Sequence, residues 1–149
     1  MTDNNHWSMT TPLNLGYLGL LPFFVGAAGP WVFHDARVWL TQALLWYSLA
    51  IFSFTCGGIW GLVLQRDVPG RQAHLIMAKC FLIVAWIALF LPVTYGLGVL
   101  IICYVALYQW ERHTHLKHIF GPDYLHLRQQ LTWPAVACHM LALFNVISG

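Results

Sequence analysis

Charge is the scarcest property of this sequence. Seven Lys+Arg and five Asp+Glu are spread over 149 residues, 8% of the chain, against about a quarter in a typical soluble domain. So few charges cannot cover a water-facing surface, which excludes a soluble globular protein. The basic residues are scattered and the net charge is only +2, so the clustered basic footprint of a nucleic-acid binder is missing. Cys56, Cys80, Cys103 and Cys138 all fall inside apolar stretches; they read as small core side chains rather than a disulfide framework. The five acids, Asp3, Asp35, Asp67, Glu111 and Asp123, fall in predicted tails, loops or helix ends, so paired carboxylates within a bilayer are not expected. No recognisable Ser/His or Cys/His nucleophile pattern stands out, and enzymatic activity is not expected. Residues 1–14 contain no Lys or Arg, so neither a secretory signal nor an Arg-rich transit peptide is expected there, and the first helix is expected to stay attached.

Apolar length is abundant instead. Hydrophobic residues make up 59% of the chain, and the mean hydropathy is +0.64. Five crossings of about 20 residues use roughly 100 positions, which leaves a short tail and tight loops. The pattern predicts an all-α integral membrane protein: a polar tail over 1–12 and one five-helix transmembrane domain over 13–149, with helices at about 13–33, 38–64, 73–91, 94–110 and 124–147. Pro22 should bend the first helix and Pro30 should end it. Pro92 divides the third and fourth into a tight hairpin, and Gly121-Pro122-Asp123 supplies a turn before the fifth.

With five crossings the two termini lie on opposite sides. Arg66, Arg71, Arg112, Lys117 and Arg128 fall on the side of the N-terminus and Arg37 on the other, so the positive-inside rule places the N-terminus in the cytoplasm and the C-terminus opposite. The expected location is a bacterial cell inner membrane, or the mitochondrial inner membrane in a eukaryote.

Three groups of residues are candidates for function. Ser53, Gly57 and Gly61 recur every four residues on the second helix, and Gly58 widens the stripe. Such a small-residue face lets another backbone approach closely; a contact inside the bundle is the first expectation, with a ligand groove or a homodimer seam as alternatives. Eight histidines are unusual in so uncharged a chain. His113, His115 and His118 share one polar loop with His126, a spacing compatible with metal ligation, but Glu111 and Asp123 are the nearest partners and no HExxH or CxxC motif reinforces them; a solvated loop is expected and no bound metal. Lys79 and His139 are ionisable groups inside predicted spans. Lys79 can snorkel to the interface. His139, near mid-membrane, is either a hydrogen-bonded core histidine or a ligand for haem or metal or a proton relay. No cofactor is expected.

Landmarks along the chain carry a resemblance. Leu15-Gly16-Tyr17-Leu18-Gly19-Leu20-Leu21-Pro22-Phe23, then Ser53-Phe54-Thr55-Cys56-Gly57-Gly58-Ile59-Trp60-Gly61-Leu62, then Tyr124-Leu125-His126-Leu127-Arg128-Gln129-Gln130-Leu131-Thr132 resemble, in that order and over nearly the whole chain, the transmembrane protein 69 family, also described as domain of unknown function 3429. Ile59 stands where members carry a polar residue before the Trp-Gly pair. The resemblance implies a small bacterial or mitochondrial integral membrane protein and gives no landmark a chemical role.

Three function classes follow. The leading expectation is an accessory or assembly subunit of a larger membrane complex, such as a respiratory one, with the lipid bilayer and other integral membrane subunits as its partners and no nucleic acid. The alternatives are a small transporter or channel, and a haem-, metal- or quinone-binding membrane protein.

Overall fold

The computed structural model describes residues 10–114 and 116–148, with the backbone alone at 10–13 and 117–120. Every regular element among them is helical. Five helical stretches are long and apolar enough to cross a membrane: Asn14–Val32, His34–Gln65, Arg71–Phe90, Val93–His113 and Gly121–Ser148.

The first stretch is two helices, α1 (Thr10–Leu18) and α2 (Leu21–Val32). The single bent helix expected here is instead interrupted at Gly19 and Leu20, where Tyr47 donates its hydroxyl to the Gly19 carbonyl at 2.8 Å. Pro22 sits in the first turn of α2, where a missing N–H disrupts nothing. Pro30 does not end α2, which runs on to Val32; so close to the helix end it removes little of the hydrogen-bond ladder.

A short 3-10 turn at His34–Ala36 leads into α3 (Arg37–Gln65). Its 29 residues measure about 44 Å at 1.5 Å per residue, longer than the roughly 30 Å of a hydrocarbon core, so the helix must tilt or project. Gly70, at φ 71°, turns the chain into α4 (Arg71–Ile87), a conformation that an L side chain resists. A 3-10 turn at Ala88–Phe90 and an extended Leu91 before Pro92 lead to α5 (Val93–His113). The last helix, α6 (Leu116–Ser148), contains a non-helical break at Gly121, φ 77° and ψ 165°, so its crossing part follows Pro122.

Helices α2, α3, α5 and α6 contact one another in a closed ring, α4 lies on the flank of α3 and α5, and α1 touches α6. The loop at 66–70 and the break at Gly121 mark one end of the bundle; residues 33–36 and Pro92 mark the other. Phe23, Leu44, Phe52, Leu97, Leu100, Tyr104 and Leu107 fill the centre. The four cysteines are free, with Cys80 exposed and the other three buried.

Close backbone approach occurs at glycines other than the predicted stripe. A Cβ added to Gly26 of α2 would stand 2.7 Å from the Cβ of Leu44 on α3, and one at Gly29 2.9 Å from Leu40. At Gly96 of α5 it would meet the Ala88 carbonyl oxygen at 2.7 Å. These positions seat α2 on α3 and fold the α4–α5 hairpin.

Candidate functional site

The inner face of α6 is polar along most of its length. Tyr124, Arg128, Thr132, Ala135, His139, Ala142 and Asn145 follow one another at steps of three or four residues, which places them on one side of the helix. Arg128, Thr132, His139 and Asn145 are buried. From Arg128 to Asn145 the helix rises about 26 Å, nearly the thickness of a bilayer's hydrocarbon core.

At the 66–70 end this seam holds an ion pair. Arg128 donates from Nε to Oε2 of Glu111 at 3.1 Å, with 8% of the arginine side chain exposed and none of the glutamate. Glu111 reaches the seam because α5 continues to His113, three residues past its predicted end. On α5 the residues Tyr104, Tyr108 and Glu111 then share a face turned to α6. Beside the pair, Tyr108 donates its hydroxyl to Gln129 Oε1 at 3.2 Å. Glu111, expected at a helix end, is fully buried, and Arg128 faces inward with it. Oε1 of Glu111, Nη2 of Arg128 and Oγ1 of Thr132 have no hydrogen-bond partner among the described residues. A buried polar atom left unpaired costs about 1–3 kcal/mol, more when charged.

Mid-bundle the seam is fully used. Nδ1 of His139 lies 2.7 Å from the Ala135 carbonyl oxygen, which only accepts, so Nδ1 carries the hydrogen. Nε2 lies 2.7 Å from the Ser48 hydroxyl, and in the neutral ring that hydroxyl donates to it. Tyr104 donates to the Ser48 carbonyl at 2.9 Å, and the rings of Phe23 and Tyr104 lie 5.7 and 5.6 Å from the imidazole. Both ring nitrogens of His139 thus hold hydrogen-bond partners within the chain. At the opposite end Arg37 donates to the Asn145 carbonyl at 3.1 Å, and Thr41 donates to the Arg37 carbonyl at 2.9 Å.

The predicted small-residue face stands elsewhere, on the outside of α3. A Cβ built at Gly57, Gly58 or Gly61 meets nothing within 4 Å, and Ser53 donates to the Leu49 carbonyl of its own helix at 2.8 Å. Among the described residues no helix packs closely against these three glycines. The face flanks a notch of about 300 Å³ between α3 and α4, lined by Ser53, Cys56, Gly57, Trp60, Ala78, Lys79 and Leu82. Lys79 is exposed, with its Nζ 5.8 Å from the centre of the Trp60 ring. The indole N–H of Trp60 donates to the Leu75 carbonyl at 3.2 Å, tying α3 to α4.

Of the loop histidines, His113, at the end of α5, and His126 have described side chains, and both are exposed. His115 lies outside the described residues, as does the side chain of His118. Among the described residues no group of three His, Cys, Asp or Glu side chains is placed to hold a metal ion. His74 is buried with its ring 5.1 Å from that of Trp110.

Sequence reasoning missed the Glu111–Arg128 pair, although the heptad-like spacing of Tyr104, Tyr108 and Glu111 was there to be read. A family model described as protein of unknown function (DUF3429) matches residues 8–144. The chain belongs to that family. No curated protein and no solved structure matches it.

Proposed function

We propose that this member of the DUF3429 family is an accessory or assembly subunit of a larger membrane complex, and that it docks on another integral membrane protein through the outer face of α3. The supporting observation is the unfilled glycine face. Each glycine in a helix interior costs about 1 kcal/mol relative to alanine. Inside a bilayer that cost is offset when a second backbone packs against the flat surface. Gly58 and Gly61 have no such neighbour among the described residues, and Phe54, on the same side of α3, is 79% exposed. A partner helix laid along this face supplies the missing contact.

The basic residues support an N-terminus in the cytoplasm of a bacterial inner membrane. Arg128 is paired within the bundle, which leaves Arg66, Arg71, Arg112 and Lys117 at the 66–70 end against Arg37 at the other.

The test is affinity purification in mild detergent with mass spectrometry of the co-purifying membrane proteins, comparing the natural chain with Gly58→Leu and Gly61→Leu. Both variants should fold as well as the natural chain, because a Cβ at either position meets nothing within 4 Å, and both should lose the partner. If no membrane protein is enriched over a mock purification, the docking reading fails.

A second reading, a small transporter or proton path, is favoured by the polar seam and its unpaired atoms, because ionisable groups inside a membrane bundle commonly mark pathways. Protein reconstituted alone in liposomes with an internal pH dye should then acidify under an imposed gradient, and Glu111→Gln should abolish the flux. A signal equal to that of empty liposomes removes this reading.

A further inference from the structure

We propose that the notch between α3 and α4 seats one anionic phospholipid, its phosphate on Lys79 and an acyl chain lying against Ser53, Cys56 and Gly57. Lys79 follows Arg71 by eight residues, about 12 Å into the bundle from the 66–70 end. Side chains on a helix lean toward its N-terminus, which for α4 is that same end. The ammonium is thereby carried back to the level of Trp60, five residues and about 8 Å short of the end of α3, a depth suited to a lipid headgroup rather than to the acyl core.

Among the described residues the ion pair that forms is Arg128 with Glu111, and the contact made by Lys79 is the face of Trp60, so no carboxylate there neutralises this cation. Arg66 and Arg71 are exposed at the mouth of the same helix pair, with Asp67 as the acid between them. The surface offered to the headgroup layer is therefore net positive. Beside Lys79 and Trp60 the lining changes character: Ser53, Cys56, Gly57 and Ala78 are all small, and Leu82 is apolar. A cation above a narrow apolar slot is complementary to a phosphate above a hydrocarbon chain. Trp60, fixed by its hydrogen bond to Leu75, makes one side of the slot rigid.

Charge and width favour a lipid over a protein. The notch has a cation at its rim and small side chains within, and a chain of methylenes is narrower than a helix about 10 Å across. The site is also separate from the docking face: at 100° per residue, Gly58 and Gly61 point about 160° and 100° away from Trp60 around α3. A lipid in the notch covers Gly57 and leaves Gly58 and Gly61 open to a partner.

The test is native mass spectrometry of the purified full chain, delipidated and then titrated with phosphatidylglycerol or phosphatidylcholine of the same acyl composition. One basic residue near an anionic membrane surface contributes about a fivefold preference, so the natural chain should retain one phosphatidylglycerol about fivefold more strongly than phosphatidylcholine. Lys79→Met should bring the ratio to about one and Lys79→Arg should keep it. Gly57→Leu, which fills the slot while the headgroup cation remains, should weaken both lipids. Circular dichroism and gel filtration identify any variant that has not folded, and for that position photo-crosslinking decides instead. A photo-reactive group at position 79 in native membranes should capture phospholipid. Equal retention of both lipids by the natural chain, an undiminished preference in folded Lys79→Met, or capture of a protein at position 79 overturns the proposal, and none of these results bears on whether a partner docks at Gly58 and Gly61.

Discussion

Removing one member of the Glu111–Arg128 pair should cost far more than removing both. The two groups are 3.1 Å apart with almost no access to solvent; at an effective dielectric constant of about 20 their attraction is about 5 kcal/mol. Much of that attraction is offset by the desolvation of both ions, so the pair itself adds little net stability. A single change breaks the balance. Glu111→Leu leaves a guanidinium facing the bundle interior without its carboxylate, and Arg128→Met leaves a carboxylate without its cation; each should destabilise the fold by about 3–5 kcal/mol. The double variant removes both charges together with the unpaired Oε1 and Nη2 atoms, and should fall within about 1–2 kcal/mol of the natural chain or surpass it. The free cysteines provide the assay. In a Cys80→Ala background, a thiol-reactive dye reports the exposure of buried Cys56, Cys103 and Cys138 during denaturation in detergent, and the four proteins form a double-mutant cycle. Single variants as stable as the natural chain, or a double variant as unstable as the sum of the two singles, would refute the reasoning, because the charges would then not be coupled.

Glycines inside and outside the bundle should respond with opposite signs. Gly26→Ala, which forces a Cβ to 2.7 Å from Leu44, should lower stability by about 1–3 kcal/mol; Gly58→Ala, which meets nothing within 4 Å, should raise it by up to about 1 kcal/mol, and the same denaturation assay reads both. Ser48→Ala takes the hydroxyl from Nε2 of His139 and should cost about 1–3 kcal/mol, whereas Thr55→Ala, which removes a hydroxyl bonded only to the Ile51 carbonyl one turn back, should stay within about 0.5 kcal/mol of the natural chain. A periplasmic-type reporter fused after Gly149 should be active and a cytoplasmic-type reporter inactive; the reverse pattern would invert the topology argued from Arg66, Arg71, Arg112 and Lys117.

The bundle was legible in the sequence because each crossing is a long apolar run closed by Gly, Pro or charge, and those signals are local. The boundaries of α3, from Arg37 to Gln65, follow directly from the polar corners beside them. Which face of each helix points inward was not legible, because lipid and protein core are equally apolar and hydropathy carries no contrast between them. That is why the Ser53-Gly57-Gly61 stripe, a real periodicity, reads from sequence as a contact inside the bundle although no helix among the described residues packs closely against its glycines. The glycines that do seat helices, Gly26, Gly29 and Gly96, look like helix breakers because each stands near a proline or another glycine. The same ambiguity hides Glu111: a carboxylate at the end of a predicted helix reads as solvated until its partner, 17 residues on, is known to fold back against it. His139 was legible as a buried imidazole, but its partner Ser48 is 91 residues away, and no local spacing links the two.

The ring of helices has a consequence for how the chain reaches its final form. It is closed by contact between α2 and α6, the first crossing and the last, so Phe23 on α2 and Tyr104 on α5 acquire the imidazole of His139 only after the fifth segment has entered the bilayer. Ribosomes release segments in order, and every intermediate before that moment exposes the hydroxyl of Ser48 and the carboxylate of Glu111 to lipid or to the insertion machinery. The early helices are thus held in an open arc that is chemically incomplete, and the arrival of α6 brings His139 to Ser48 and Arg128 to Glu111 in one step. Surveillance proteases that recognise unpaired polar groups in membrane helices would distinguish a stalled chain from a finished one by the presence of this single helix.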